Sequence, residues 1–229
     1  MHLIIANKLY SSWSMRPWLV MRAAGIAFEE TVVPLRQADT KERIRRYSPT
    51  GLVPVLIDGD AVVWESLAII SYLADRFSGK GIFPAGSNAA RAHAKAISVE
   101  MHGGFRALRQ ACPMNLGKRF ATPAISDEVQ ADVARLEFIW RDTRQRFGGS
   151  GGYLFGDFSA ADAMYAPVVT RLDTYQLPVA DDTRTYMDTV LSDPVFLEWK
   201  HAALHEPWTI EAYEEGHRAI EDYRAGSAG

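Results

Sequence analysis

Three serines lie close together near the start of the chain, in the run Ser11-Ser12-Trp13-Ser14. The run stands between an apolar strand pattern at residues 2–6 and a helix pattern that begins near Met15. A turn from strand to helix gathers free backbone N–H groups and the positive end of a helix dipole, which together stabilise an anion. We therefore expect the turn to hold an anion, although serines that only cap the helix explain the same pattern.

Two pairs of residues further along the chain are the next candidates for binding a ligand. Pro54 precedes an apolar strand pattern, and a cis bond before it would expose the Val53 backbone for pairing with an extended peptide; an ordinary trans proline is the alternative. Ser66 starts a helix pattern, where it either binds a carboxylate or simply caps the helix. Glu65 beside it can pair with an ammonium. Together, Glu65 and Ser66 suit the end of a free amino acid, which carries both charges.

A helix pattern around Gly103-Gly104 supplies candidates for a second ligand. Two glycines inside a helix cost about 1 kcal/mol each relative to alanine, and close approach of a ligand or of another helix is one reason to carry them. Arg109 either holds an acidic substrate or lies on the surface as arginines commonly do, and the neighbouring apolar residues form either an adaptable pocket wall or ordinary core. No role is assigned to His102, and Cys112 is expected to be inert. The apolar wall residues are Met101, Phe105, Leu108 and Met114.

The elements that must position these residues fall into two predicted domains. Residues 1–78 alternate strand and helix in the order βαβ, helix, ββα, with Asp58-Gly59 as the turn of a hairpin and Asp39 as a helix cap. Residues 79–88 have the composition of a linker.

The remaining residues, 89–229, are predicted to be all-helical because the strand signal disappears after the linker. Ser159 and Asp162 have the spacing of a capping box, and residues 225–229 are expected to fray. Helix patterns occupy residues 89–110, a long stretch capped by Ser126 or Asp127, and stretches from Ser159, about Asp182 and Pro194.

Composition excludes several classes of protein. The chain has 229 residues, of which 48% are hydrophobic and 23% charged, so a globular fold with a large core is expected. The net charge of -3 gives no electrostatic reason to bind nucleic acid or an anionic membrane. No apolar run approaches the roughly 18–20 residues that span a bilayer, and no signal peptide is visible. A single cysteine, Cys112, excludes an intrachain disulfide and suits a cytosolic protein.

The motifs together resemble those of the cytosolic glutathione transferases. Thioredoxin-like redox proteins carry Cys-x-x-Cys in the first strand-to-helix turn, and here Ser11 and Ser14 occupy the two cysteine positions. The run from Ser11 to Arg16 is similar to the Ser-Ser-x-Ser-x-Arg signature of the zeta-like serine classes. The Val-Pro, Glu-Ser and Ser-x-x-Asp motifs of the family also match in order and spacing, at Val53-Pro54, Glu65-Ser66 and Ser159 with Asp162. Trp13 departs from the cysteine that zeta enzymes usually carry.

This resemblance implies a fold and a site. The fold is an α/β thioredoxin-like N-terminal domain followed by an all-α C-terminal domain. Glutathione is then the co-substrate and no metal is needed. Ser11 is the implied catalytic serine, with Ser12 and Ser14 as alternatives, and Arg16 is expected to anchor the first helix through an ion pair. The implied glutathione ligands are Val53, Pro54, Glu65 and Ser66.

The resemblance also implies a cytoplasmic, homodimeric detoxification enzyme that joins glutathione to a small apolar electrophile held near Arg109 and the apolar wall. A glutathione-dependent cis–trans isomerase of the maleylacetoacetate isomerase kind uses the same thiolate and stays open. So does a non-catalytic binding protein of the same fold. Disulfide reduction is disfavoured because both redox positions are serine.

Overall fold

The computed structural model describes residues 1–224, so the predicted fraying of residues 225–229 lies outside the described part. The N-terminal region is built on a four-stranded sheet of order β2-β1-β3-β4. Strands β1 and β2 are parallel, whereas β1–β3 and β3–β4 are antiparallel, with Leu3 opposite Leu56. The strands are β1 (His2–Ile5), β2 (Glu29–Val32), β3 (Val55–Asp58) and β4 (Ala61–Trp64).

Three helices complete this region and confirm the predicted order of elements. Helix α1 ends in a Schellman-type cap: Gly25 has φ 59°, its N–H donates to the Arg22 carbonyl, and the Ile26 N–H donates to the Met21 carbonyl. Asp39 is the N-cap residue of α2, as predicted, but its side chain makes no capping hydrogen bond. The helices are α1 (Ser12–Ala23), α2 (Thr40–Arg45) and α3 (Ser66–Arg76).

The C-terminal region is helical, as predicted. Ser126 caps α6, and Ser159 and Asp162 form the predicted capping box of α7, in which the Ser159 N–H and Oγ each donate to Asp162 at 2.9 Å. The helices are α4 (Asn88–Gly103), α5 (Arg106–Ala111), α6 (Asp127–Phe147), α7 (Ala160–Thr174), α8 (Asp181–Leu191) and α9 (Pro194–Leu204). The division of the chain at residues 79–88 stays a prediction.

Two features of this region differ from the sequence expectation. The stretch predicted as one helix breaks at Gly104 and at Phe105, whose φ of 56° is left-handed, so the glycines end α4 rather than lying inside a helix. In addition, two short strands, β5 (Lys118–Phe120) and β6 (Ala219–Asp222), form a small antiparallel sheet. Their pairing joins distant parts of the chain, which a local pattern does not reveal.

The loop before α1 is fixed by the C-terminal end of α9. The buried carboxylate of Glu206 accepts hydrogen bonds from the Lys8 and Leu9 N–H groups at 2.7 and 3.1 Å. The Trp199 indole donates to the Lys8 carbonyl at 3.0 Å. The backbone of the β1–α1 turn is therefore held by hydrogen bonds to side chains of the helical region as well as by the sheet.

Among residues 1–224, no helix combines the length and the apolar character that crossing a membrane requires. The same described residues contain no group of three or more His, Cys, Asp or Glu side chains suited to a metal ion.

Candidate functional site

The serine turn opens on a cavity of about 400 Å³ between the two regions of the chain. Its walls come from the start of α1, from the end of α4 through α5, from α7, and from the segment that follows α9. The lining residues are Tyr10, Ser11, Ser12, Trp13, Leu35, Gly103, Arg106, Arg109, Gln110, Pro113, Met114, Arg171 and Tyr213.

Ser11 is the N-cap of α1. Its Oγ accepts a hydrogen bond from the Ser14 N–H at 3.3 Å and donates to the Ser14 Oγ at 2.8 Å. Ser14 is fully buried, and its Oγ also accepts from the Ala6 N–H at 3.1 Å. Ser14 therefore ties the strand β1 to the helix α1, while Ser11 stands at the helix start on the cavity wall.

Ser12 is the first residue of α1 and also lines the cavity. Within residues 1–224, its hydroxyl makes no hydrogen bond, although the residue is 7% exposed. Of the three serines predicted to act on an anion, two thus face the cavity and the third supports them from the interior.

The Val53–Pro54 peptide bond is cis, which the resemblance implied. Val53 is half-buried, and neither its N–H nor its carbonyl has a hydrogen-bond partner in the described residues 1–224. These backbone groups immediately precede β3 and are free to pair with another extended backbone.

Glu65 and Ser66 lie where β4 passes into α3. Glu65, with a left-handed φ of 69°, occupies the cap position, so the alternative interpretation, in which Ser66 only caps the helix, is wrong. Ser66 is the first helical residue, is fully buried, and its Oγ finds no partner among residues 1–224. An orphaned buried hydroxyl is costly, by about 1–3 kcal/mol, unless a ligand completes it.

A group of guanidinium side chains, called here the arginine cluster, lies beside the cavity and consists of Arg16, Arg109 and Arg171. Arg16 and Arg171 are buried, and each has at least one nitrogen without a partner in the described residues. Burial, and then the neighbouring guanidiniums, lower the pKa of Arg16 to about 9 and that of Arg171 to about 10. The cluster is therefore a region of positive charge that favours an anion.

The expected ion pair of Arg16 is absent from residues 1–224, so its predicted role as an ion-pair anchor is wrong. Its guanidinium instead lies 4.3 Å from the centre of the Trp13 ring. Sequence reasoning missed Arg171 altogether, although an arginine inside the mostly apolar helix pattern of α7 was a signal that could have revealed it.

Of the five residues predicted to line an electrophile pocket, Arg109 and Met114 do line the cavity. Met101, Phe105 and Leu108 do not: all three are buried in the main hydrophobic core. They were expected on one wall because the sequence predicted one uninterrupted helix. Cys112 is fully buried, and burial raises the pKa of its thiol to about 11, which agrees with an inert cysteine.

His102 approaches the site from α4. Its Nε2 lies 3.8 Å from the Glu65 carboxylate, and its ring packs edge-on against Trp13 with a centroid distance of 5.1 Å. Burial, and then the charge of Arg16, lower the pKa of His102. The contacts link the N-terminal end of α3 to the helical region.

The N-terminal part of the chain matches a known protein family. The family described as "Glutathione S-transferase, N-terminal domain" matches residues 10–76, which hold the serine turn, Val53-Pro54 and Glu65-Ser66. Dichloromethane dehalogenase of Methylorubrum extorquens is 46% identical over 59 residues, which cover 24% of this chain and 20% of that protein. The probable maleylacetoacetate isomerase of Caenorhabditis elegans is 26% identical over 204 residues, covering 82% of this chain and 90% of that one.

Solved structures of the same fold cover most of the chain. A bacterial zeta-class maleyl pyruvate isomerase has a TM-score of 0.68 at 20% identity, covering 92% of this chain and 100% of its own. A glutathione transferase homologue from Burkholderia, solved with bound glutathione, has a TM-score of 0.67 at 20% identity, covering 88% and 97%. At this level of identity the likeness establishes the fold.

Proposed function

We propose that the chain is a glutathione S-transferase that binds glutathione and uses the thiolate to attack an electrophile. Residues 10–76 match the N-terminal domain of that family, zeta-class proteins are among the relatives, and the fold is that of a zeta-class structure. The observation that carries the proposal is the serine turn at the start of α1, which presents Ser11 and Ser12 to a large cavity.

The chemistry needs a stabilised thiolate. A free thiol has a pKa of about 8.5, so only a few per cent of it is ionised at neutral pH. Lowering that pKa by about 2 requires roughly 2.7 kcal/mol of preferential stabilisation of the thiolate. One hydrogen bond to a charged group supplies about 1.5–3 kcal/mol. The Ser11 hydroxyl together with the positive end of α1 is therefore sufficient, and the thiol proton leaves to water.

The remaining parts of glutathione suit free groups near the starts of β3 and α3, which do not themselves line the cavity. The Val53 backbone is available to pair with the cysteinyl backbone in the manner of a strand. The orphaned Ser66 hydroxyl, at the N-terminal end of α3, suits the γ-glutamyl carboxylate, and the exposed Glu65 suits its ammonium. Pro54, which directly follows Val53 in the chain and is buried, supports the Val53 backbone.

The arginine cluster supports an electrophile that carries an anionic group. The sequence predicted an apolar electrophile held by Met101, Phe105 and Leu108, but these residues lie in the core, whereas Arg109 and Arg171 line the cavity. Buried guanidiniums without a carboxylate partner in residues 1–224 are best satisfied by the ligand. Tyr10, Trp13 and Tyr213 give the same cavity an aromatic lining.

Two reactions use this arrangement. In conjugation, the thiolate attacks an electrophilic carbon, the C–S bond forms and the leaving group departs with its electron pair. In isomerisation, the thiolate adds to a double bond, rotation follows, and the same thiolate leaves. The positive cavity, with relatives that include a probable maleylacetoacetate isomerase, keeps the second reaction as a candidate. A cytoplasmic location suits either, because the cytosol supplies reduced glutathione, and conjugation suits a detoxifying role.

The proposal is tested by glutathione binding and turnover with the purified chain. Calorimetric titration is expected to detect glutathione binding, and a chloronitrobenzoate with saturating glutathione is expected to release chloride. Cis–trans conversion of maleylacetone under the same conditions would assign the isomerase reaction instead. Binding without turnover of either substrate would favour a non-catalytic protein, and a lack of glutathione binding would refute the proposal.

We further propose a homodimer, because exposed apolar residues lie in two groups that a partner copy would cover. One group is Val62 and Trp64 on β4 with Leu52 before β3; the other is Val99 on α4 and Phe138 on α6. Exposed apolar area of this kind is typical of an interface between copies.

Phe138→Asp is therefore expected to shift the sedimentation mass towards the single-chain 25.5 kDa, because it places a charge in the interface. Leu197→Asp is the matched control, since Leu197 on α9 is exposed to a similar extent, 47% against 58%, and belongs to neither group. A wild-type chain that sediments as a monomer would disprove the dimer.

A further inference from the structure

Arg109 reaches the cavity wall with few fixed contacts. Its Nη1 donates to the carbonyls of His102 and Gly104 at 3.5 and 3.3 Å, which are long hydrogen bonds. Both carbonyls belong to the end of α4, where the helix breaks. No carboxylate pairs with Arg109 in residues 1–224. Hydrogen bonds of this length do not restrict the long, flexible Arg109 side chain to one rotamer.

The firmest contact of Arg109 is with an aromatic ring. Its guanidinium lies 4.7 Å from the centre of the Trp13 ring, within the range of a cation–π interaction. The guanidinium of Arg16 lies 4.3 Å from the centre of the same ring. His102 packs against the ring edge. Trp13 is thus the common contact of two guanidiniums that repel each other.

We propose that Trp13 is a specificity-determining positioning residue, whose indole holds the Arg109 guanidinium at the cavity wall for the anionic group of the electrophile. This inference rests on the proposed function. Trp13 acts through Arg109, so it is distinct from the serines that act on the thiolate.

The indole is suited to this task for two reasons. Its negative face attracts a guanidinium more strongly than the rings of phenylalanine and tyrosine do, and it contacts both the Arg16 and the Arg109 guanidinium, which repel each other. Leucine fills much of the same space without this attraction. Replacing Trp13 with leucine therefore loosens Arg109, whereas phenylalanine keeps a weaker form of the contact.

The test compares a chloronitrobenzoate with its methyl ester at saturating glutathione, because the two electrophiles differ mainly in the negative charge. In Trp13→Leu, the acid-to-ester ratio of kcat/KM is expected to fall about tenfold, and in Trp13→Phe about twofold. Arg109→Leu is expected to lower the same ratio, and adding Trp13→Leu to Arg109→Leu is expected to lower it no further.

A purely structural role for Trp13 would reduce turnover of acid and ester equally, and that result would overturn the inference. If Trp13→Leu does not fold, Trp13→Phe and Trp13→Met carry the same comparison of ratios. If Arg109→Leu has the same acid-to-ester ratio of kcat/KM as wild type, the inference is overturned and the proposed transferase function stands. Absence of turnover with both electrophiles and with maleylacetone instead overturns the proposed function and the inference with it.

Discussion

Replacing Ser11 with alanine is expected to raise the pKa of the thiol of bound glutathione by about 1 to 2 and to lower kcat/KM at neutral pH about 10- to 100-fold. The thiolate would lose its main side-chain hydrogen-bond donor and keep the helix end and the weaker contribution of Ser12. The ultraviolet absorbance of the bound thiolate, titrated against pH, measures the pKa directly. Because wild type forms the thiolate at lower pH, the pH–rate profile of Ser11→Ala should move to higher pH.

The geometry explains why the Ser11 hydroxyl can donate its hydrogen bond to a ligand. Its Oγ is fixed by the Ser14 N–H, so the hydroxyl hydrogen can rotate from the Ser14 Oγ towards the cavity. The Ser14 Oγ keeps the hydrogen bond from the Ala6 N–H after this rotation. Reorienting Ser11 therefore leaves the buried oxygen of Ser14 satisfied, and the change costs little.

Three further variants separate the serines. Ser11→Thr keeps the cap and the hydroxyl, so it should retain most of the activity. Ser12→Ala removes a hydroxyl that makes no hydrogen bond in residues 1–224, and it should raise the thiol pKa less than Ser11→Ala does. Ser14→Ala should mainly lower stability, because it breaks the link between β1 and α1.

Loss of the N-cap in Ser11→Ala also costs about 1 kcal/mol of stability, so thermal unfolding must be measured beside the titration. An unchanged thiol pKa in Ser11→Ala would remove Ser11 from the proposed role. A larger rise in Ser12→Ala than in Ser11→Ala would transfer that role to Ser12.

Replacing Ser66 with alanine is expected to weaken glutathione binding about 10- to 100-fold while leaving the free protein as stable as wild type or more stable. A hydrogen bond to the γ-glutamyl carboxylate is worth about 1.5–3 kcal/mol, which corresponds to that loss of affinity. In the free protein the Ser66 Oγ is buried without a partner in residues 1–224, so removing it relieves a penalty.

Calorimetric titration of glutathione and thermal unfolding of the ligand-free chain measure the two effects separately. Ser98→Ala is the matched control: Ser98 is also fully buried on a helix, but its Oγ donates to the Ala94 carbonyl at 2.7 Å. It should lose some stability and keep its affinity for glutathione. Normal affinity in Ser66→Ala would show that the Ser66 hydroxyl does not bind glutathione. A marked loss of stability would show that the hydroxyl has a structural partner in the free protein.

Much of the fold could be predicted from the sequence because its signals are local. Gly25 ends α1, Ser126 caps α6, and the capping box of Ser159 and Asp162 opens α7, each through hydrogen bonds within a few residues. The Asp58-Gly59 turn likewise joins β3 and β4. Such bonds depend on neighbours in the chain, which a pattern of residue types records.

The predicted pocket wall failed where a single residue changed the course of the backbone. Phe105 adopts a left-handed conformation and separates α4 from α5. The local pattern of apolar residues does not predict this left-handed conformation, because an uninterrupted helix has the same pattern. Met101, Phe105 and Leu108 consequently lie in the core, and the cavity is lined instead by residues from several elements.

The sequence by itself determined which residues have the chemistry for this site: hydroxyls at the start of α1, Val53-Pro54, and Glu65-Ser66 ahead of a helix. Only the tertiary structure decided what each one meets. It placed Ser14 in the interior and left the Ser66 hydroxyl without a partner in the described residues. It also gathered the arginine cluster from α1, α5 and α7 around one cavity. The reason is physical: the burial and the partners of a polar group depend on residues far away in the chain, and these become neighbours only when the core has formed.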